Sequence, residues 1–196
     1  MIGQSPETKN GHPTFYAPTI KEWRAWLAKN GKTEKSVWLI IYHKESKTPS
    51  VTYAESIEHS LCYGWIDSLA NKRDSESFYL FFTPRKPKSN WSKVNKERIE
   101  RMTREGYMNP AGQELIDLAK QDGSWDKFAD AEAGIIPDDL QALFDKNPTA
   151  FQNFQAFTDS VKRLTLEWII TAKRPETRLT RIEKTVELAE KGLKVR

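Results

Sequence analysis

Val37-Trp38-Leu39-Ile40-Ile41-Tyr42 is the longest unbroken apolar run in the chain, six residues set between Ser36 and His43. Six residues cannot hold a free-standing helix, and β-branched and aromatic side chains dominate. The run therefore reads as a central strand buried on both faces. It also falls far short of the roughly 18 apolar residues a membrane helix needs. Upstream, Thr19 and Glu22 are spaced as a capping box opening a helix. That helix carries Ile20, Trp23, Trp26 and Leu27 on one stripe and stops near Asn30-Gly31. Downstream, Thr52 caps a second helix bearing Ile57, Leu61 and Cys62, which Gly64 ends. Residues 65–69 and 78–83 then read as a hairpin across the polar turn 71–75.

Pro84 and Pro87 interrupt regular structure. A helix restarts at Ser89 or Asn90, runs through Met102 and is closed by Gly106; another opens at Asn109-Pro110. Strand signals end there. Gly134-Ile135-Ile136-Pro137 is the best linker, and everything after it reads as helix, with starts near 140, at Pro148, at Asp159 and at Pro175. The last helix places Leu179, Ile182, Val186 and Ala189 on a narrow stripe. The fold class is α+β: a small antiparallel-containing sheet with helices packed on it, followed by a C-terminal helical module. The expected divisions are a lead-in over 1–13, the α+β module over 14–133 and the helical module over 138–196.

Composition bounds the function. A chain of 196 residues at 38% hydrophobic can fill a core. Nine glycines and ten prolines are too few for a low-complexity chain. A single cysteine forms no internal disulfide and no Cys-rich zinc site, and Met1 to Pro13 has no apolar signal region. A soluble cytoplasmic protein without membrane insertion is expected. The net charge of +4 hides segregation: residues 85–104 hold eight basic and two acidic groups, while 105–145 hold ten acids against Lys120 and Lys127. Such blocks serve an anion-binding face or pair with each other, and self-neutralisation suits nucleic acid poorly.

Three segments carry chemistry. In Gly64-Trp65-Ile66-Asp67, strand alternation puts Tyr63, Trp65, Asp67 and Leu69 on one face. Asp67 is then a structural carboxylate paired with Arg85, a ligand-orienting acid, or a general base. In the loop 85–91, Arg85, Lys86 and Lys88 precede a helix start at Ser89 and Asn90, with Trp91 offering a flat face. That arrangement suits an anion, or Arg85 simply holds Asp67 while Trp91 joins the core. Near the C-terminus, Arg174, Arg178 and Arg181 form a basic ridge, fit for phosphates or for the acidic 105–145 segment. Cys62 sits at the C-terminal end of a helix, where the dipole disfavours a thiolate, so it reads as packed and inert. Three scattered histidines offer no metal cluster, and glycine-rich phosphate loops and the Gly-x-Ser-x-Gly elbow are absent, so no cofactor is expected.

Leu61-Cys62-Tyr63-Gly64-Trp65-Ile66-Asp67, the stretch 82–95 (FTPRKPKSNWSKVN) and the stretch 168–178 (WIITAKRPETR) together resemble the bacterial YdeI/OmpD-associated family, also labelled bacteriocin-protection proteins. The resemblance runs from about Phe15 to Gly192 and implies a link to bacteriocin or envelope-stress protection, without a reaction or cofactor. Three functions compete. The leading one is a non-catalytic module taking a small anion or an acidic protein segment in a pocket of Trp65, Asp67, Arg85, Ser89, Asn90 and Trp91. The second is a hydrolase-like enzyme using Asp67 and Arg85. The third is weak nucleic-acid binding, the less favoured partner.

Overall fold

The computed structural model describes residues 7–195. The order of elements begins β1 (Thr8–Lys9), β2 (His12–Tyr16), α1 (Ile20–Asn30), β3 (Val37–Tyr42) and α2 (Tyr53–Leu61). It continues β4 (Trp65–Lys72), β5 (Ser77–Pro84), α3 (Lys93–Arg104) and α4 (Pro110–Gln121). Five helices follow: α5 (Ala129–Glu132), α6 (Asp138–Phe144), α7 (Pro148–Ala156), α8 (Asp159–Ile170) and α9 (Pro175–Glu190). The fold is α+β, a mixed sheet with helices and then helices alone. The chain divides into two compact units, one ending at Ser124 and the other beginning at Trp125. The division therefore precedes the Gly134–Pro137 linker expected from sequence, because Phe128 and Ala131 are already buried and the single turn of α5 starts ahead of it.

The sheet of the first unit has the order β1-β2-β3-β5-β4. β3 is its central strand, parallel to β2 and antiparallel to β5, and all but Tyr42 of its residues are buried. Directly opposed residues share a face, so Phe15, Leu39 and Leu80 line one side, as do Val37 and Phe82. On this side Trp23 of α1 packs 5.3 Å from Phe82 and 6.1 Å from Phe15 between ring centroids. The same tryptophan donates its indole N–H to the Ser56 carbonyl of α2 (3.1 Å), tying the two helices over the sheet. Both expected capping boxes form, Thr19 with Glu22 and Thr52 with Glu55. The opposite side carries Trp38, Tyr79 and Phe81, with the Lys9 ammonium 4.6 Å from the Tyr79 ring.

Two strands lie where the sequence reading expected a lead-in. Asn10 (φ 53°) and Gly11 (φ 75°) form a two-residue turn between Thr8–Lys9 and His12–Tyr16, the Asn-Gly geometry that matches the twist of a hairpin. Glu7 anchors this hairpin to Arg73 (3.1 Å) and also accepts from the Tyr79 hydroxyl. Residues 1–6 of the expected lead-in lie outside the described residues. A second correction concerns β4. A bulge between Asp67 and Ala70 breaks the alternation, so Leu69 is 58% exposed rather than sharing a face with Trp65 and Asp67. Tyr63 lies in the turn ahead of the strand.

The second unit has its own core of Leu140, Phe144, Ala150, Phe154, Leu166, Ile169 and Ile182. Among the described residues no strand follows Pro137, and the helices begin at Pro148, Asp159 and Pro175 as the sequence implies. The α9 stripe differs in two places. Ile182, Thr185 and Ala189 are buried, whereas Leu179 is 55% exposed. Thr185 is admitted because its hydroxyl donates to the Arg181 carbonyl one turn back (2.8 Å). No helix among the described residues is long and apolar enough to cross a membrane.

Candidate functional site

Arg85 comes directly after the last ladder pair of the hairpin, Trp65 with Pro84, and its backbone N–H donates to the Gly64 carbonyl (2.8 Å). That contact turns the side chain inward. The residue is 7% exposed, its guanidinium carbon lies 3.6 Å from the Trp91 ring centroid, and Nη2 donates to the Asn90 carbonyl (2.6 Å). Among the described residues its Nε–H has no hydrogen-bond partner. Burial pushes the guanidinium pKa down to about 10, and the charge of Asp67 opposes that shift. The two do not touch. Asp67 instead accepts from the Tyr53 hydroxyl (3.3 Å), whose pKa burial and Asp67 together raise.

The loop that carries Arg85 stays irregular for longer than expected. Lys88 holds a left-handed conformation (φ 59°), which is unfavourable for a side chain with a Cβ. The helix expected from Ser89 or Asn90 begins only at Lys93, capped by Ser92 accepting from Asn95 N–H (3.4 Å). The Asn90 carbonyl is committed to Arg85, which explains the delay. Between this loop and α4 lies a small, partly closed cavity of about 10 Å³, room for one water-sized occupant. Arg85, Lys88, Ser89 and Trp91 line it from the loop, with Leu115 and Asp122 opposite.

The six residues expected to share a pocket therefore separate. Arg85, Ser89 and Trp91 meet at the cavity, and Asn90 supports Arg85 through its backbone. Trp65 does not join them: it is 1% exposed, donates its indole N–H to the Gly31 carbonyl (3.1 Å) and meets Trp26 edge-on. Asp67 lies beyond contact. The Leu61–Asp67 segment works as a packing node. Gly64 adopts φ 75°, and a Cβ there would come within 2.4 Å of Leu115. Cys62 is fully buried, its thiol donates to the Glu58 carbonyl (3.3 Å), and burial pushes its pKa up to about 11. His59 is no partner for it, since its Nδ1 meets Arg24 (3.0 Å).

The basic ridge is also largely committed. Arg178 pairs with Asp139 through two bonds of 2.6 and 2.9 Å, so part of the acidic segment does answer it. Arg181 donates to Thr171 (3.0 Å) and to the Trp168 carbonyl, and its guanidinium lies 5.0 Å from the Trp168 ring. Arg174 is exposed at the N-cap of α9.

Sequence reasoning passed over the open recesses. Two, of about 570 Å³ each, flank Phe78 and His43 at the far end of the sheet. The signal available was His43 directly after the central strand, followed by Lys44 and a polar loop, a loop placement typical of ligand contacts. Among the described residues no group of His, Cys, Asp and Glu could hold a metal ion.

No curated protein and no solved structure matches the chain. Two family models do, and they divide the resemblance drawn from the three motifs. Residues 133–192, which include the 168–178 stretch, match the family described as Bacteriocin-protection, YdeI or OmpD-Associated. Residues 15–115, more than half of the chain, match a domain of unknown function (DUF8412) and contain the other two motifs. The chain belongs to the family of that N-terminal domain and carries a YdeI/OmpD-associated, bacteriocin-protection domain after it.

Proposed function

We propose that the N-terminal unit is a non-catalytic, cytoplasmic binding module that takes a small anion at Arg85. One observation carries this reading: a buried guanidinium has an unpartnered Nε–H and no carboxylate in contact among the described residues. A buried cation with no carboxylate in contact is costly, and a small anion relieves both the charge and the orphaned donor. The cavity beside it suits a single-atom anion such as chloride better than an oxyanion. The exposed Lys86 and Lys88 raise the local anion concentration at the rim.

Catalysis has less support. Asp67 is held by a tyrosine and Cys62 by a backbone carbonyl, and neither has a base–nucleophile partner. The setting in bacteriocin or envelope-stress protection rests on the family description of the C-terminal domain alone. The test is chloride titration at constant ionic strength against gluconate. The melting temperature of the native protein should rise saturably with chloride, and the Arg85→Met protein should not respond. Equal responses in both proteins, or none in either, would refute the anion site.

A further inference from the structure

We infer a second, open ligand site that does not depend on the Arg85 reading: the paired recesses about His43 and Phe78 bind a small planar aromatic anion. Phe78 opposes Ile41 across the ladder, so its ring stands on the helix-bearing side of the sheet, past the start of α2. The His43 imidazole lies 5.5 Å from it at an interplanar angle of 31°, which fixes a shared aromatic wall. On one flank are Tyr42, Lys44 and Tyr53, the last 47% exposed; on the other are Ala70, Asn71 and Lys72. Each recess, at about 570 Å³, lies in the range of small-molecule sites.

Charge selects the ligand class. Lys44 and Lys72 are exposed, one on each flank. The carboxylate in the lining, Asp74, is spent on its own turn: it accepts from Glu76 N–H (2.8 Å), Ser77 N–H (2.7 Å), the Ser77 hydroxyl (2.9 Å) and Arg73 (3.0 Å). The available charges in the lining are therefore cationic and the available surfaces are ring faces. A flat ring stacks on the Phe78–His43 wall while its anionic group meets a lysine.

The test uses AMP and p-hydroxybenzoate as probes, with adenosine and inorganic phosphate as controls, read by the ring C–H resonances of Phe78 in the full chain. At least one aromatic anion should shift them saturably. Affinity should fall about tenfold in the Lys44→Ala, Lys72→Ala double variant and in His43→Ala, whose side chains are exposed. Adenosine and phosphate alone should bind at least that much more weakly. The Arg85→Met protein should bind the probes as the native protein does, which separates this site from the anion cavity. No shift by either probe up to the order of 10 mM, affinity unchanged in the variants, or phosphate binding as tightly as AMP would each overturn the inference.

Discussion

The guanidinium of Arg85 lies over the ring of Trp91, 3.6 Å from its centroid, while its Nη2 holds the carbonyl of the preceding Asn90. One side chain thereby closes the loop between β5 and α3. Arg85→Lys keeps the charge but loses the planar fork and most of the stack, and should cost about 1–3 kcal/mol. Arg85→Met removes the desolvated charge as well and should be less harmful than the lysine. Urea unfolding followed by tryptophan fluorescence gives the order; a lysine variant as stable as the native protein contradicts it.

Gly64 and Gly106 share a left-handed backbone, φ 75° and 76°, but differ in surroundings. An added Cβ meets Leu115 at 2.4 Å in the first case and open space in the second. Gly106→Ala should cost roughly 1 kcal/mol from the backbone alone. Gly64→Ala should cost up to roughly 1 kcal/mol more, because the end of the Leu115 side chain must swing aside. Similar losses at both positions would mean that the contact does not matter.

Cys62 should resist modification. Its thiol is buried, bonded to a carbonyl and held at a pKa of about 11, so little thiolate exists at neutral pH. Labelling of the native protein by a disulfide reagent should be limited by opening of the fold, and fast only in denaturant. A native rate like that of the unfolded chain contradicts this.

The Arg178 guanidinium holds the Asp139 carboxylate below its ordinary pKa. A depressed folded pKa gives stability that is complete above the unfolded value and lost as pH falls through the folded one. Acid should therefore loosen the contact between α6 and α9. The denaturation midpoint of Asp139→Asn should lie below that of the native protein near neutrality, and the gap should close on acidification beneath the carboxylate range. A gap independent of pH counts against the pair.

Much of the fold was legible because its signals are local. Thr19 and Glu22 announce a helix start by a capping box, and Pro148 and Pro175 by a proline in the first turn. The run at 37–42 announces a buried strand by composition. Asn10-Gly11 was an equally local signal, but Pro13 and a polar context masked the hairpin it makes. Other features depend on partners distant in sequence or on irregular pairing. The bulge after Asp67, the pairing of β3 with β5 rather than β4, and the turning of Trp65 toward Gly31 leave no periodic trace. The candidate pocket failed to assemble for that reason: three of its residues meet at the cavity, while Trp65 is drawn into the α1 side of the core. The recess at His43 went unread because it is made by the ends of elements, which pattern reasoning treats as punctuation.

The bulge between Asp67 and Ala70 has a bearing on solubility. β4 is the outermost strand among the described residues, so within them one row of its backbone donors and acceptors has no ladder partner. A straight, flat edge of this kind invites strands from other molecules to add on. Here the extra residue kinks the strand, the exposed stretch ends in Asn71 and Lys72, and a second copy finds neither a regular register nor a neutral surface. The irregularity that spoiled the simple alternation of β4 also makes this edge a poor template for a strand of another copy.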